Sequence, residues 1–229
     1  MPVDNRLQRI AGMIRRGDTV ADIGTDHAYL PVFLVKEKIA SHVFACDVSD
    51  GPLENARVNI EKSKVSGITL RKGDGLSAMK PFEADTFVLA GMGGDLISKI
   101  LADAPWIKDN RYELILQPMT SVEDLRAYLC KNGFSVVAER AVRSAGRIYT
   151  VIKAIYTGVI TECDPLFYYI GRLGENIGDE ELEYITRKRR IIATLAEDIK
   201  NIENRKEKYD SLCRALDGID RLISTENGN

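Results

Sequence analysis

Histidine and cysteine are scarce in this chain, and neither is spaced to hold a metal. His27 and His42 are its two histidines, and Cys46, Cys130, Cys163 and Cys213 are scattered without a paired spacing. No zinc or iron–sulfur pattern can be assembled from them, so no metal is expected. Long apolar runs are missing as well: nothing approaches the roughly 20 residues that a membrane-spanning helix requires. The first twenty residues carry Arg6, Arg9, Arg15 and Arg16 but no continuous apolar stretch, so they do not read as a secretory leader. The expected compartment is the cytoplasm, with no membrane partner. A strong charge of either sign is also absent. The net charge is −2, made of +2 over residues 1–160 and −4 over residues 161–229. A uniformly basic nucleic-acid protein is excluded, and contact with RNA would have to come from local patches.

What the chain does have is a strand followed by a turn carrying two carboxylates. Thr19 to Gly24 reads as a short buried strand, Gly24 permits the turn, and an amphipathic helix follows from about Ala28 to Lys38. A dinucleotide fingerprint would need two more glycines so that the backbone could approach a pyrophosphate. Asp26 and Ala28 stand in their places, and Asp22 and Asp26 would repel a phosphate. A cofactor with a cationic amino group and no phosphate fits better, which points to S-adenosyl-L-methionine; a merely structural strand–helix turn is the competing reading.

Strands and helices then alternate. A first helix at about Arg6–Arg15 precedes the motif; strands follow at Ser41–Asp47, Ile68–Asp74, Thr86–Gly91 and Glu113–Gln117, with helices at Gly51–Ser66, Asp95–Ala102 and Val122–Asn132. Such alternation predicts a parallel sheet covered on both faces. Phe134–Val142 and Arg147–Ile155 are separated by four residues, too few for a crossover helix, so they form an antiparallel hairpin. This order resembles the class I, Rossmann-like methyltransferase sheet, in which the last strand inserts antiparallel. The expected fold is therefore α/β over residues 1–158, followed at 159–229 by a small all-helical, coiled-coil-like domain. Within that tail, apolar residues recur at helical spacing from Leu182 to Ile223, as one long helix or, preferably, as two folded back near Asn201–Arg205.

In an open α/β sheet the ligand lies at the carboxyl ends of the strands. Asp22, Gly24, Thr25 and His27 follow or end the first strand, with His27 expected to touch cofactor or backbone rather than act as a base. Asp47, with Val48 beside it, ends the second, where a carboxylate can accept both ribose hydroxyls; capping of the next helix is its competing role. Asp74 and Gly75 end the third, placed for an adenine exocyclic amine, or as an ordinary turn. Gly91 and Met92 end the fourth in a stretch of small residues, expected as a loop that admits a flat ring. The Gln117 amide ends the fifth. Asp26 and Tyr29 are the catalytic candidates, the first to orient the target base or balance its charge, the second to stack on a ring; helix capping and core packing are the alternatives. An Asn/Asp-Pro-Pro-aromatic motif, used by many enzymes that methylate an adenine amino group, does not occur, which disfavours transfer to N6.

Four motifs carry a resemblance: Asp-Ile-Gly-Thr-Asp-His-Ala-Tyr-Leu-Pro from Asp22, Gly-Asp-Gly-Leu from Gly73, Ala-Gly-Met-Gly-Gly from Ala90 and Gln-Pro-Met from Gln117. In this order, with a helical tail behind them, they resemble the bacterial tRNA (adenine-22)-N1-methyltransferase family. The motifs cover residues 1 to about 155; the tail matches in length and helical character. The resemblance implies methyl transfer from S-adenosyl-L-methionine to ring N1 of an adenosine in the tRNA D-arm region; a monomer is expected. RNA contacts are expected from Arg6, Arg9, Arg15 and Arg16, from Arg140, Arg143 and Arg147 around the hairpin, and from the run Arg187, Lys188, Arg189 and Arg190, which would otherwise be a solvated helix face. Deleting residues 160–229 is expected to abolish tRNA binding and spare cofactor binding. Two other readings stay open: a methyltransferase acting on a small molecule or protein without RNA, and a noncatalytic nucleotide-binding module that pairs through its tail.

Overall fold

The computed structural model describes residues 3–227. Five parallel strands, β1 (Thr19–Ile23), β2 (His42–Asp47), β3 (Ile68–Lys72), β4 (Thr86–Gly93) and β5 (Glu113–Thr120), join the hairpin β6 (Phe134–Ser144) and β7 (Arg147–Tyr156) in one sheet of order β3-β2-β1-β4-β5-β7-β6. β7 runs antiparallel to both neighbours and sits between β5 and β6. The short link at Ala145–Gly146 forces the antiparallel pairing of β6 with β7, because a parallel return would need a crossover.

Side chains alternate across the sheet, so each central strand feeds two cores. Ala21, Ile23, Phe87, Leu89, Leu114 and Leu116 face α4 (Gly94–Ala102) and α5 (Val122–Lys131). Val20, Val88 and Ile115 face α1 (Asn5–Met13) and α2 (Tyr29–Lys36). Asp4 caps α1 by accepting from the Leu7 amide at 2.8 Å. The first and second helices are shorter than expected. Helix α3 (Asp50–Ser63) also stops early, where Lys64 turns left-handed at φ 52°. The stretch of small residues after Leu89 is not a loop: β4 continues through a bulge to Gly93, pairing Met92 with Pro118 and Gly93 with Thr120.

The tail folds as α6 (Pro165–Ile170), α7 (Asp179–Ile199) and α8 (Lys206–Asn227), with the reversal at residues 200–205. The two long helices form a hairpin, because Ile185, Ile192, Ala196, Leu212, Ala215 and Ile219 close one apolar seam between them. That seam takes in Ala141 and Ile148 from the sheet. Glu181 accepts the Ala141 amide at 3.0 Å and Glu180 the Arg143 amide at 2.7 Å, so the first turn of α7 covers the edge strand β6.

Candidate active site

The turn after β1 is built around its backbone. The Gly24 and Thr25 amides donate to the Cys46 carbonyl of β2 at 2.8 and 2.9 Å. Gly24 has φ +85°, a conformation that favours glycine, and a Cβ there would lie 2.3 Å from the Met92 methyl, which would have to swing aside. Ala28 enters α2 left-handed, at φ 53°, without a side-chain cap. Asp26 is therefore not the cap of this helix; its side chain is 71% exposed and lies 3.4 Å from the His27 ring. The rings of His27 and Tyr29 stack at 5.2 Å. Asn59 of α3, which no sequence motif marked, holds the turn by donating to the His27 carbonyl at 2.8 Å.

A cleft of about 410 Å³ opens over this turn. It brings together Asp22, Gly24, Thr25, Asp26, His27, Tyr29 and Gly91, and adds Asp4, Arg6 and Ala90. Asp22 is 7% exposed. Burial pushes its carboxyl up to about 6, with Asp47 adding to the rise, while the Thr25 hydroxyl and the Arg6 guanidinium oppose it. The Thr25 hydroxyl is close enough to act on Asp22 yet is buried without a partner in good hydrogen-bonding geometry.

Arg6 is placed differently from the surface RNA contact expected of it. From α1 it reaches across the sheet edge and donates to the Gln117 side-chain oxygen at 2.7 Å, which also accepts the Gly91 amide at 3.2 Å. Gln117 is fully buried and its amide nitrogen donates to the Pro118 carbonyl at 3.0 Å. It is thus a strut that fixes Arg6 and Gly91, not a lining residue of this cleft. Met92 is packed under Gly24, also outside the lining.

Asp47 and Asp74 follow at the same carboxyl edge on the next strands outward. Asp47 accepts the Ser49 amide at 2.9 Å, and the N-cap of α3 is Ser49, not Asp47. Val48 beside it is exposed. Asp74 precedes a single 3₁₀ turn, Gly75–Ala78, and makes no side-chain cap bond to it.

The basic candidates divide into two groups. Arg9 pairs with Glu180 at 2.9 Å and Arg15 with Asp18 at 2.7 Å. Arg143 pairs with Glu183, Lys188 with Glu123, and Arg189 with Asp220. Arg189 thus joins α7 to α8 and Lys188 joins α7 to α5, so these two members of the basic run are structural ties. Among the described residues Arg16, Arg140, Arg147, Arg187 and Arg190 have no carboxylate within 4.0 Å. No three His, Cys, Asp or Glu side chains among the described residues stand together as metal ligands, and no described helix is long and apolar enough to cross a membrane.

A parallel sheet with an inserted antiparallel strand, and carboxylates at the ends of three successive strands, defines the class I methyltransferases. Residues 3–152 match the family described as "Methyltransferase domain". The tRNA (adenine(22)-N(1))-methyltransferase of Bacillus subtilis is 39% identical over 155 residues, which are 67% of this chain and 65% of that protein. The alignment thus spans just under two thirds of that curated relative. The crystal structure of the B. subtilis m1A22 tRNA methyltransferase TrmK superposes with a TM-score of 0.81 at 30% identity, covering 97% of this chain and 99% of that one. A Streptococcus pneumoniae relative in complex with S-adenosyl-L-methionine gives 0.78 at 28% identity, covering 92% and 98%. The chain belongs to the methyltransferase-domain family and, within it, to the tRNA (adenine-22)-N1-methyltransferases.

Proposed function

We propose that this chain transfers the methyl group of S-adenosyl-L-methionine to N1 of adenosine 22 in tRNA. The observation that carries the reading is that buried Asp22 and Arg6 line one cleft over the Gly24 turn. A zwitterionic amino acid needs one fixed charge of each sign, and the two residues supply them. Asp22 would accept from the cofactor's ammonium, Arg6 would meet its carboxylate, and the unpartnered Thr25 hydroxyl offers a further polar contact. Asp47 would take the ribose hydroxyls and Asp74 the adenine amine. When bound, the cofactor supplies an electrophilic methyl on a sulfonium.

Neutral adenine carries a lone pair and no proton at N1, so the site needs no general base. What it must do is align the ring and tolerate the positive charge that develops on it. Asp26, exposed at the mouth of the cleft, would face the ring's N6 edge or balance that charge, and Tyr29, stiffened by His27, would stack on it. The D-arm region as the tRNA element bound, action as a monomer, a cytoplasmic location and independence from metal belong to the same reading. So does a grip on tRNA by the helical tail through Arg187 and Arg190, which have no carboxylate within 4.0 Å among the described residues.

The test is to incubate the protein with unmodified total tRNA and labelled cofactor, then map the product by reverse transcription and mass spectrometry. A stop at position 22 carrying N1-methyladenosine is expected. Turnover without RNA, or a product at N6, would overturn the proposal.

A further inference from the structure

A second depression, of about 450 Å³, opens where the carboxyl end of β5 meets the start of β7 and the middle of α7. It brings Met119, Tyr149 and Ile191 together with Arg147, Arg187 and Lys188. Met119 is 39% exposed and Ile191 45%, so the apolar part of this surface is open to solvent. Lys188 is neutralised by Glu123, whereas Arg147 and Arg187 are exposed and have no carboxylate within 4.0 Å among the described residues. An aromatic and aliphatic floor flanked by free guanidinium groups is the chemistry that holds an unpaired nucleotide, base against the floor and phosphate against the cations.

The groove lies along the same carboxyl edge of the sheet as the cofactor cleft, beside the residues that brace it. Its β5 wall begins at Pro118, one residue beyond the Gln117 that anchors Arg6 and Gly91. Pro118 and Thr120 pair directly with Met92 and Gly93 of β4. Resting on the tRNA reading above, we infer that this groove receives the RNA strand flanking the target adenosine, one unpaired nucleotide lying against Tyr149 and Ile191 with its phosphates on Arg147 and Arg187. A base drawn out of the tRNA fold leaves a neighbour unstacked, and the groove supplies the surface on which that neighbour rests.

The experiment compares the full chain with Arg147→Ala/Arg187→Ala and with a charge-matched control, Lys36→Ala/Lys108→Ala, remote from the groove. The double groove variant is expected to bind tRNA at least about tenfold more weakly, and its salt dependence to flatten by about 1.4 in the log–log slope, for two single-strand phosphate contacts. Its cofactor affinity, measured without tRNA, stays within about twofold of the parent. A photoreactive residue introduced in place of Ile191 should crosslink to tRNA within a few nucleotides of the methylated adenosine. If the parent methylates tRNA while the groove variant binds it unchanged, or no more weakly than the control, the groove assignment is wrong and the enzyme reading stands. Crosslinking to a protein instead of tRNA would also overturn the assignment. If the parent does not methylate tRNA at all, the function itself is wrong, and the groove assignment falls with it.

Discussion

Arg126 and Glu139 form an ion pair of 2.7 Å in which neither side chain is reached by solvent. Burial alone would lower the guanidinium's proton affinity, and Glu139, with Tyr184, more than offsets this, so Arg126 stays protonated. Arg126, on α5, also donates to the Tyr168 and Tyr169 carbonyls of α6 at 2.9 and 3.0 Å. Glu139, on β6, accepts the Thr150 hydroxyl at 2.6 Å and the Arg172 amide at 3.1 Å. Sheet, catalytic-domain helix and tail are thus locked through one buried charge network.

Breaking that pair strands a charge without solvent. Arg126→Met should cost about 3–5 kcal/mol of stability, and adding Glu139→Leu should restore part of the loss, because the second substitution removes the stranded carboxylate. Urea unfolding of the two singles and the double checks this; additive losses would count against a coupled pair.

The same network bears on the tail. Ending the chain at Gly158 removes both carbonyl partners of Arg126 and uncovers Ala141 and Ile148. Removal of residues 159–229 is therefore expected to lower the unfolding midpoint and to weaken cofactor binding along with tRNA binding, contrary to the clean separation suggested by the sequence alone. Circular dichroism melting and calorimetry against S-adenosyl-L-methionine decide it; an unchanged midpoint would show the tail to be separable.

Asp22 sets a pH dependence. Its carboxyl, raised to about 6 from 3.8, holds a proton in the folded chain that the unfolded chain has already released, so its effect on stability is a loss that grows from about pH 4 to pH 6 and is constant above. At about 1.4 kcal/mol per unit, the loss at neutral pH is on the order of 3 kcal/mol. Asp22→Asn should raise the unfolding midpoint at pH 7 while weakening cofactor binding. If the ionised carboxylate holds the cofactor's ammonium, as proposed, cofactor affinity in the parent should fall as pH drops below about 6. Calorimetry between pH 5 and 8 tests both parts, and pH-independent affinity would remove Asp22 from the ammonium site.

Substituting Arg6 distinguishes the proposed cofactor contact from an RNA contact. A charge-assisted hydrogen bond of about 1.5–3 kcal/mol corresponds to a loss of about 10–100-fold in cofactor affinity for Arg6→Met. Binding measured without tRNA makes the distinction, since a residue that touched only RNA would leave this affinity unchanged.

Asp26→Ala is expected to slow single-turnover methylation about 10- to 100-fold with cofactor saturating, and to shift stability by less than about 0.5 kcal/mol, since the side chain is exposed and caps no helix. Tyr29→Phe should keep most of the rate and Tyr29→Ala lose it, the pattern of a stacking ring. An Asp26→Ala rate equal to the parent would remove that carboxylate from the reaction.

The local stretches of the sequence determined a good deal by themselves. The apolar run before Gly24 and the short link between β6 and β7 are matters of neighbouring residues, and steric and topological rules act at that range, so strand, turn and antiparallel hairpin were readable. The carboxylates at the ends of β1, β2 and β3 were legible for the same reason: a strand end is a local property, and the parallel order brings successive ends to one edge. Which distant side chains meet was decided only by tertiary packing. Arg6 and Gln117 lie 111 positions apart, Arg126 and Glu139 13 apart on different elements, and Arg189 and Asp220 31 apart. An arginine in a sequence is only a charge. Whether that charge holds a cofactor, ties two helices or stays free for RNA depends on the carboxylate or amide that folding brings to it.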